Sequence, residues 1–161
     1  MPMPIPTEAV RQALVCTLGS EVVQQTRLAD TAASLLRAYS PYRATLMKLN
    51  EGLCNRLFND LYALLGPRMT VRLDNGQLRR IPLQALPEIA DDVMGVLFDA
   101  MTITPDHQQA LTEYAMHQTS LAAMRVLLLK YGAGMAEMEK DILRRIIRDN
   151  YPPEKYASWL P

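Results

Sequence analysis

The chain has 161 residues, 49% of them apolar and 21% charged, with 17 basic and 17 acidic side chains. That length and composition suit a globular chain with a real core and exclude extended disorder. A dedicated polyanion binder usually carries a larger basic excess, so contact with nucleic acid is expected to be local or shared with a partner chain.

Pro2, Pro4 and Pro6 form an extended leader without the basic and apolar regions of a secretory signal. Thr7 can cap a helix over residues 8–17 whose stripe is Val10, Ala13 and Leu14, with Glu8 at the positive end of the dipole. Gly19-Ser20 breaks it. A second helix is expected over residues 21–39, carrying Val22, Val23, Leu28, Ala32, Leu35, Leu36 and Tyr39. Ser40-Pro41 then restarts the chain, with serine as cap and proline at the first helical position. The third helix, residues 42–65, repeats leucine at 46, 49, 53, 57, 61 and 64 or 65, a stripe suited to the core or to another subunit. Gly66-Pro67 ends it.

Residues 69–82 read as a β-hairpin around Asp74-Asn75-Gly76, because Asn-Gly accepts the positive φ of a type I′ turn. A two-residue loop sets Leu73 against Leu78, Arg72 against Arg79 and Val71 against Arg80. Two arginines placed opposite repel and require an anion or a carboxylate. Residues 68–83 hold four basic side chains and one acidic one, against six and five before them and seven and eleven after. Arg68, Arg72, Arg79 and Arg80 therefore make a compact basic feature in a neutral chain. The ordinary alternative is that Arg72 and Arg79 splay into water or pair with Asp74 and with acids elsewhere.

After the hairpin, Pro87 starts a helix with Leu86, Ile89, Val93, Val96, Leu97 and Ala100 inside and Asp91, Asp92 and Asp99 outside. Thr104-Pro105-Asp106 opens a segment that runs to Tyr131, polar at first and apolar at its end. Gly132-Ala133-Gly134 turns the chain. The last long helix, residues 135–148, places Met135, Met138, Ile142, Ile146 and Ile147 on one face and pairs Asp141 with Arg145. Pro152-Pro153 stops it before a terminal hook that contains Trp159. Boundaries near residue 103 give a helical domain ending in the hairpin and its following helix, residues 1–103, and a C-terminal helical extension, residues 104–161.

Motifs that carry catalysis or metal binding do not assemble. His107 and His117 are spaced for different faces of one helix, and no cysteine or carboxylate set completes a metal site. His117, Ser120 and Asp106 are the residue types of a hydrolase triad but lack a nucleophile elbow. The glycines are scattered in turns rather than gathered in a phosphate loop. Cys16 and Cys54 have neither metal spacing nor a CxxC pattern and read as reduced, buried thiols. No enzyme activity and no cofactor are expected. A helix-turn-helix over residues 27–52 would present Tyr42, Arg43, Thr45 and Lys48, but aligning its tight alanine puts Leu36 or Arg37 where the turn wants glycine. The longest wholly apolar run is Val126 to Leu129, against about 20 residues for a bilayer crossing, so the chain is expected to be cytoplasmic.

Asp30-Thr31-Ala32-Ala33-Ser34 with Arg37, the leucine-rich helix from Leu46 to Leu65, and Val71-Arg72-Leu73-Asp74 followed by an amphipathic helix resemble the order of elements in the FlhD family. The resemblance covers residues 28–101. It implies a transcription-activator subunit that dimerises through helices and acts on promoter DNA with a zinc-containing, FlhC-like partner. A cysteine that the family carries in its hairpin is missing from Met69 to Leu73, and the extension after residue 104 has no counterpart there.

The expectation is thus a mainly α-helical bundle of about six helices with one central hairpin, oligomeric and non-enzymatic, serving as a transcription-regulatory subunit. Arg68, Arg72, Arg79, Arg80, Arg43 and Lys48 are its candidate DNA contacts. Met135, Met138 and Trp159 are its candidate protein contacts. The alternative is an adaptor or secretion-type chaperone that binds a protein through the methionine-rich C-terminal helices.

Overall fold

A computed structural model of the chain describes residues 5–39, 55–100 and 105–161. It is mainly helical with one small antiparallel hairpin, and it divides into two compact units, Met1–Met101 and Thr102–Pro161. Among the described residues, no helix is long and apolar enough to cross a membrane.

In the first unit, α1 (Thr7–Leu18) buries Val10 and Leu14 and stops at Gly19, whose φ of 85° few other residues adopt readily. The helix expected over residues 21–39 is two helices, α2 (Ser20–Gln24) and α3 (Leu28–Tyr39). The apolar stripe steps by five between Val23 and Leu28, where a continuous helix needs three or four. Thr26 fills that gap: its hydroxyl donates to the Val22 carbonyl at 2.6 Å and accepts from the Leu28 amide at 3.4 Å. Helix α3 buries Leu28, Ala29, Ala32, Ala33 and Leu36. Only the end of the leucine-rich helix is described, as α4 over residues 55–65, with Leu57, Leu61 and Leu65 buried and Leu64 47% exposed. Helix α5 (Leu86–Ala100) packs against both α1 and α3, and Leu86, Ile89, Val93 and Leu97 are fully enclosed. Thr17 on α1 donates to the Asp92 carboxylate on α5, a polar tie beside that apolar contact.

Strands β1 (Thr70–Arg72) and β2 (Leu78–Arg80) form the hairpin in a register one residue away from the expected one. Thr70 faces Arg80, Val71 faces Arg79 and Arg72 faces Leu78. A type I′ loop needs positive φ at both Asn75 and Gly76, but only Gly76 has it, at 87°. The loop therefore has three residues, Asp74-Asn75-Gly76, closed by Gly76 N–H to Leu73 O at 2.9 Å and Leu73 N–H to Gln77 O at 2.8 Å. Asn75 steadies it by accepting the Gln77 amide at 2.9 Å.

In the second unit, the single helix expected over residues 104–131 is broken at Thr119-Ser120 into two, α6 (Pro105–Gln118) and α7 (Leu121–Lys130). Ser120 is 3% exposed and its hydroxyl accepts the Ala123 amide at 3.1 Å, capping α7. Thr119 takes a φ of 52°, and its carbonyl accepts from the Tyr151 hydroxyl at 2.6 Å. Helix α8 (Glu137–Asn150) packs on α7 through Leu143 and Ile147, rather than through a face that includes Met138 and Ile142, which are 75% and 43% exposed. Asp141 pairs with Arg144 at 2.8 Å, three residues on, and not with Arg145.

Candidate nucleic-acid interface

The one-residue shift in register decides which arginines the hairpin offers. Side chains alternate across a strand, so a shift of one moves the whole set to the other face. Met69, Leu73 and Ile81 turn inward and are at most 5% exposed. Val71 and Arg79 share that inner face, while Thr70, Arg72, Leu78 and Arg80 share the outer one. The other register would have turned Leu78 and Arg80 inward and left Ile81 outside.

Arg72 and Arg79 are therefore not opposed, and the repulsion expected between them is absent. Arg79 meets Glu21 at the start of α2 in an ion pair whose members are 44% and 58% exposed. The hairpin is tied to the end of α2 as well, by Asp74 N–H to Gln25 O at 2.8 Å. On the outer face Arg72 and Arg80 are exposed, Leu78 between them is 63% exposed, and Arg68 is exposed just before β1. Among the described residues none forms an ion pair with Arg68, Arg72 or Arg80. Arg43 and Lys48 lie outside the described residues, as does the second helix of the helix-turn-helix reading.

A cleft of about 260 Å³ lies along the edge of β1 that does not pair with β2. Thr70, Val71 and Arg72 form one wall; Thr26, Arg27, Leu28 and Thr31 from the start of α3 form another; Leu64 and Leu65 close it. Its lining holds two arginines and, among the described residues, no carboxylate. Of the acids on neighbouring helices, Asp30 pairs with Arg11 at 2.8 Å and Glu21 with Arg79. Sequence reasoning missed Arg27 as a site residue because its place in the cleft depends on the break before α3. The five-residue step in the apolar stripe was the available signal.

The candidate protein contacts have separate fates. Met135 is 9% exposed, and Met94 and Met124 are core residues, so the methionines do not form one open surface. Trp159 is half-buried, donates its indole N–H to Lys155 O at 3.1 Å, and lies under the Arg125 guanidinium at 6.0 Å. Of the three, Met138 alone stands clear. Cys16 is exposed rather than buried, and Cys54 lies outside the described residues. His117 is exposed and Ser120 is turned into its cap.

Compared with protein-family models, curated protein sequences and solved structures, the chain shows no match.

Proposed function

We propose that the chain is a non-enzymatic transcription-regulatory subunit that touches DNA through the outer face of its hairpin and works with a partner protein. The observation that carries this reading is the exposure of Arg72 and Arg80 on one face of the hairpin, with no described counter-charge. Guanidinium forks match phosphate oxygens in geometry as well as charge. A twisted ribbon anchored at its turn by Gln25 and on its inner face by Glu21 holds them in fixed register. The resemblance to the FlhD family in the order of elements supports the same reading and brings with it assembly through helices. Phosphate contacts supply affinity without sequence choice, so specificity falls to the partner or to other residues.

Binding of the full chain to a random-sequence duplex, followed by fluorescence anisotropy at several salt concentrations, tests this. Arg72→Ala with Arg80→Ala should weaken binding and reduce the salt slope by about two, one for each phosphate that the variant leaves unneutralised. Unchanged affinity and slope would remove the hairpin from any nucleic-acid role. The adaptor reading would then gain, and the observation favouring it is Met138 with Ile142, four residues apart and exposed on α8.

A further inference from the structure

We infer that the cleft at the root of the hairpin is a phosphate-binding site, with Arg27 and Arg72 as the groups that hold the ligand. This deepens the reading above and rests on it only for the source of the phosphate. Arg27 and Arg72, both exposed, line one small cleft with apolar walls and, among the described residues, no carboxylate, so two positive charges border the same space without a counter-charge. Leu28 and Leu65, both under 5% exposed, supply those walls. An anion between the arginines supplies that counter-charge and accepts from both.

The backbone of β1 adds donors independently of the arginines. Leu73 N–H bonds to Gln77 O and Ile81 N–H to Met69 O, both at 2.8 Å, so in an antiparallel ladder residues 69, 71 and 73 turn their backbone groups toward β2. Thr70 and Arg72 turn theirs to the free edge, where the cleft lies. Among the described residues neither amide has an acceptor. Arginine forks and outward amides together suit a tetrahedral oxyanion with several acceptor oxygens. Leu64, half-exposed at the rim, offers an apolar surface to the carbon atoms of an attached sugar. The phosphate group is that of a nucleic-acid backbone or of a free phosphorylated small molecule, and the two arms of the test separate these sources.

The first arm titrates the full chain with inorganic phosphate and follows the backbone amides of Leu28, Thr70 and Arg72 by NMR. Saturable shifts are expected, abolished in Arg27→Ala and in Arg72→Ala, kept in Arg80→Ala, and partly restored in Arg27→Lys. The second arm measures duplex DNA binding of Arg27→Ala, where a salt slope smaller by about one is expected. Arg27 is exposed, and matching thermal melts confirm that each variant is folded. If phosphate saturates the cleft and Arg27→Ala abolishes this while no variant alters DNA binding, the cleft stands with a small-molecule ligand and the DNA reading falls. If Arg27→Ala behaves as wild type in both arms while Arg72→Ala with Arg80→Ala weakens DNA binding, the cleft is overturned and the hairpin reading survives. If no amide shifts and DNA binding ignores every variant, both fall.

Discussion

Arg72, Arg79 and Arg80 lie within nine residues of one another, yet the register gives them different chemistry. Arg79 shares its face with Val71, and α2 brings Glu21 up to it; Arg72 and Arg80 lie on the opposite face, Arg72 beside the start of α3. The Arg79–Glu21 pair is exposed, so screening by water limits its worth to at most about 1 kcal/mol. Arg79→Ala should accordingly lower stability by no more than about 1 kcal/mol in urea unfolding. It should also leave DNA affinity close to wild type, because Glu21 already cancels that charge. Glu21→Gln should do the opposite for binding, freeing Arg79 and strengthening affinity at low salt. Both effects are read by anisotropy beside the unfolding curves. Equal weakening by Arg79→Ala and Arg72→Ala would mean that charge count, and not facing, governs the interface.

The hairpin as an element depends on its turn. At Gly76 a Cβ would meet nothing within 4 Å, so the obstacle to a side chain is the backbone conformation itself. For an L-residue, the left-handed region costs roughly 1–2 kcal/mol. Gly76→Ala should therefore destabilise the hairpin by about that much, seen as faster hydrogen exchange at Leu73 and Gln77 while the amides of α5 keep their protection. Loss of protection throughout the unit would show instead that the hairpin and helices open together. The same turn marks the limit of what could be read in advance. Asn75-Gly76 announced a hairpin correctly, but the choice between two and three loop residues depended on whether Ile81 or Arg80 entered the core. That is a tertiary preference, settled by burial of Ile81 and by a glutamate fifty-eight residues upstream of Arg79. The helix breaks were more legible. Thr26 interrupts the stripe between Val23 and Leu28, and Ser120 precedes an apolar run as a cap should, so each left a local signal. Arg27 could not be placed in a cleft without knowing that α3 starts beside it. The leucines of α4 and the apolar faces of α3 and α5 followed helical spacing directly, because burial there obeys one period from end to end.

On the scale of the whole molecule, charge is balanced twice. Met1–Met101 holds ten basic and ten acidic side chains, and Thr102–Pro161 holds seven of each. Acidity in the first unit is concentrated on α5, where Glu88, Asp91, Asp92 and Asp99 face no basic residue of their own helix. A molecule without net charge exerts little pull beyond the Debye length, about 8 Å at physiological salt. Its cations act at contact or not at all. If Arg27, Arg68, Arg72 and Arg80 are the whole interface, at most four phosphates are neutralised per chain, and the slope of log K against log salt should be no steeper than roughly −4. Association should likewise be only weakly accelerated at low salt, near the roughly 10⁵–10⁶ M⁻¹s⁻¹ of unsteered encounters. Stopped-flow and equilibrium measurements over one salt series read both quantities together. A slope much steeper than −4 per chain, with steered association, would show that further cations such as Arg43 and Lys48 enter the interface, or that a second chain lends its hairpin to the same stretch of DNA. Neutral balance thus makes the hairpin's contribution countable, since no background field hides the removal of a single arginine.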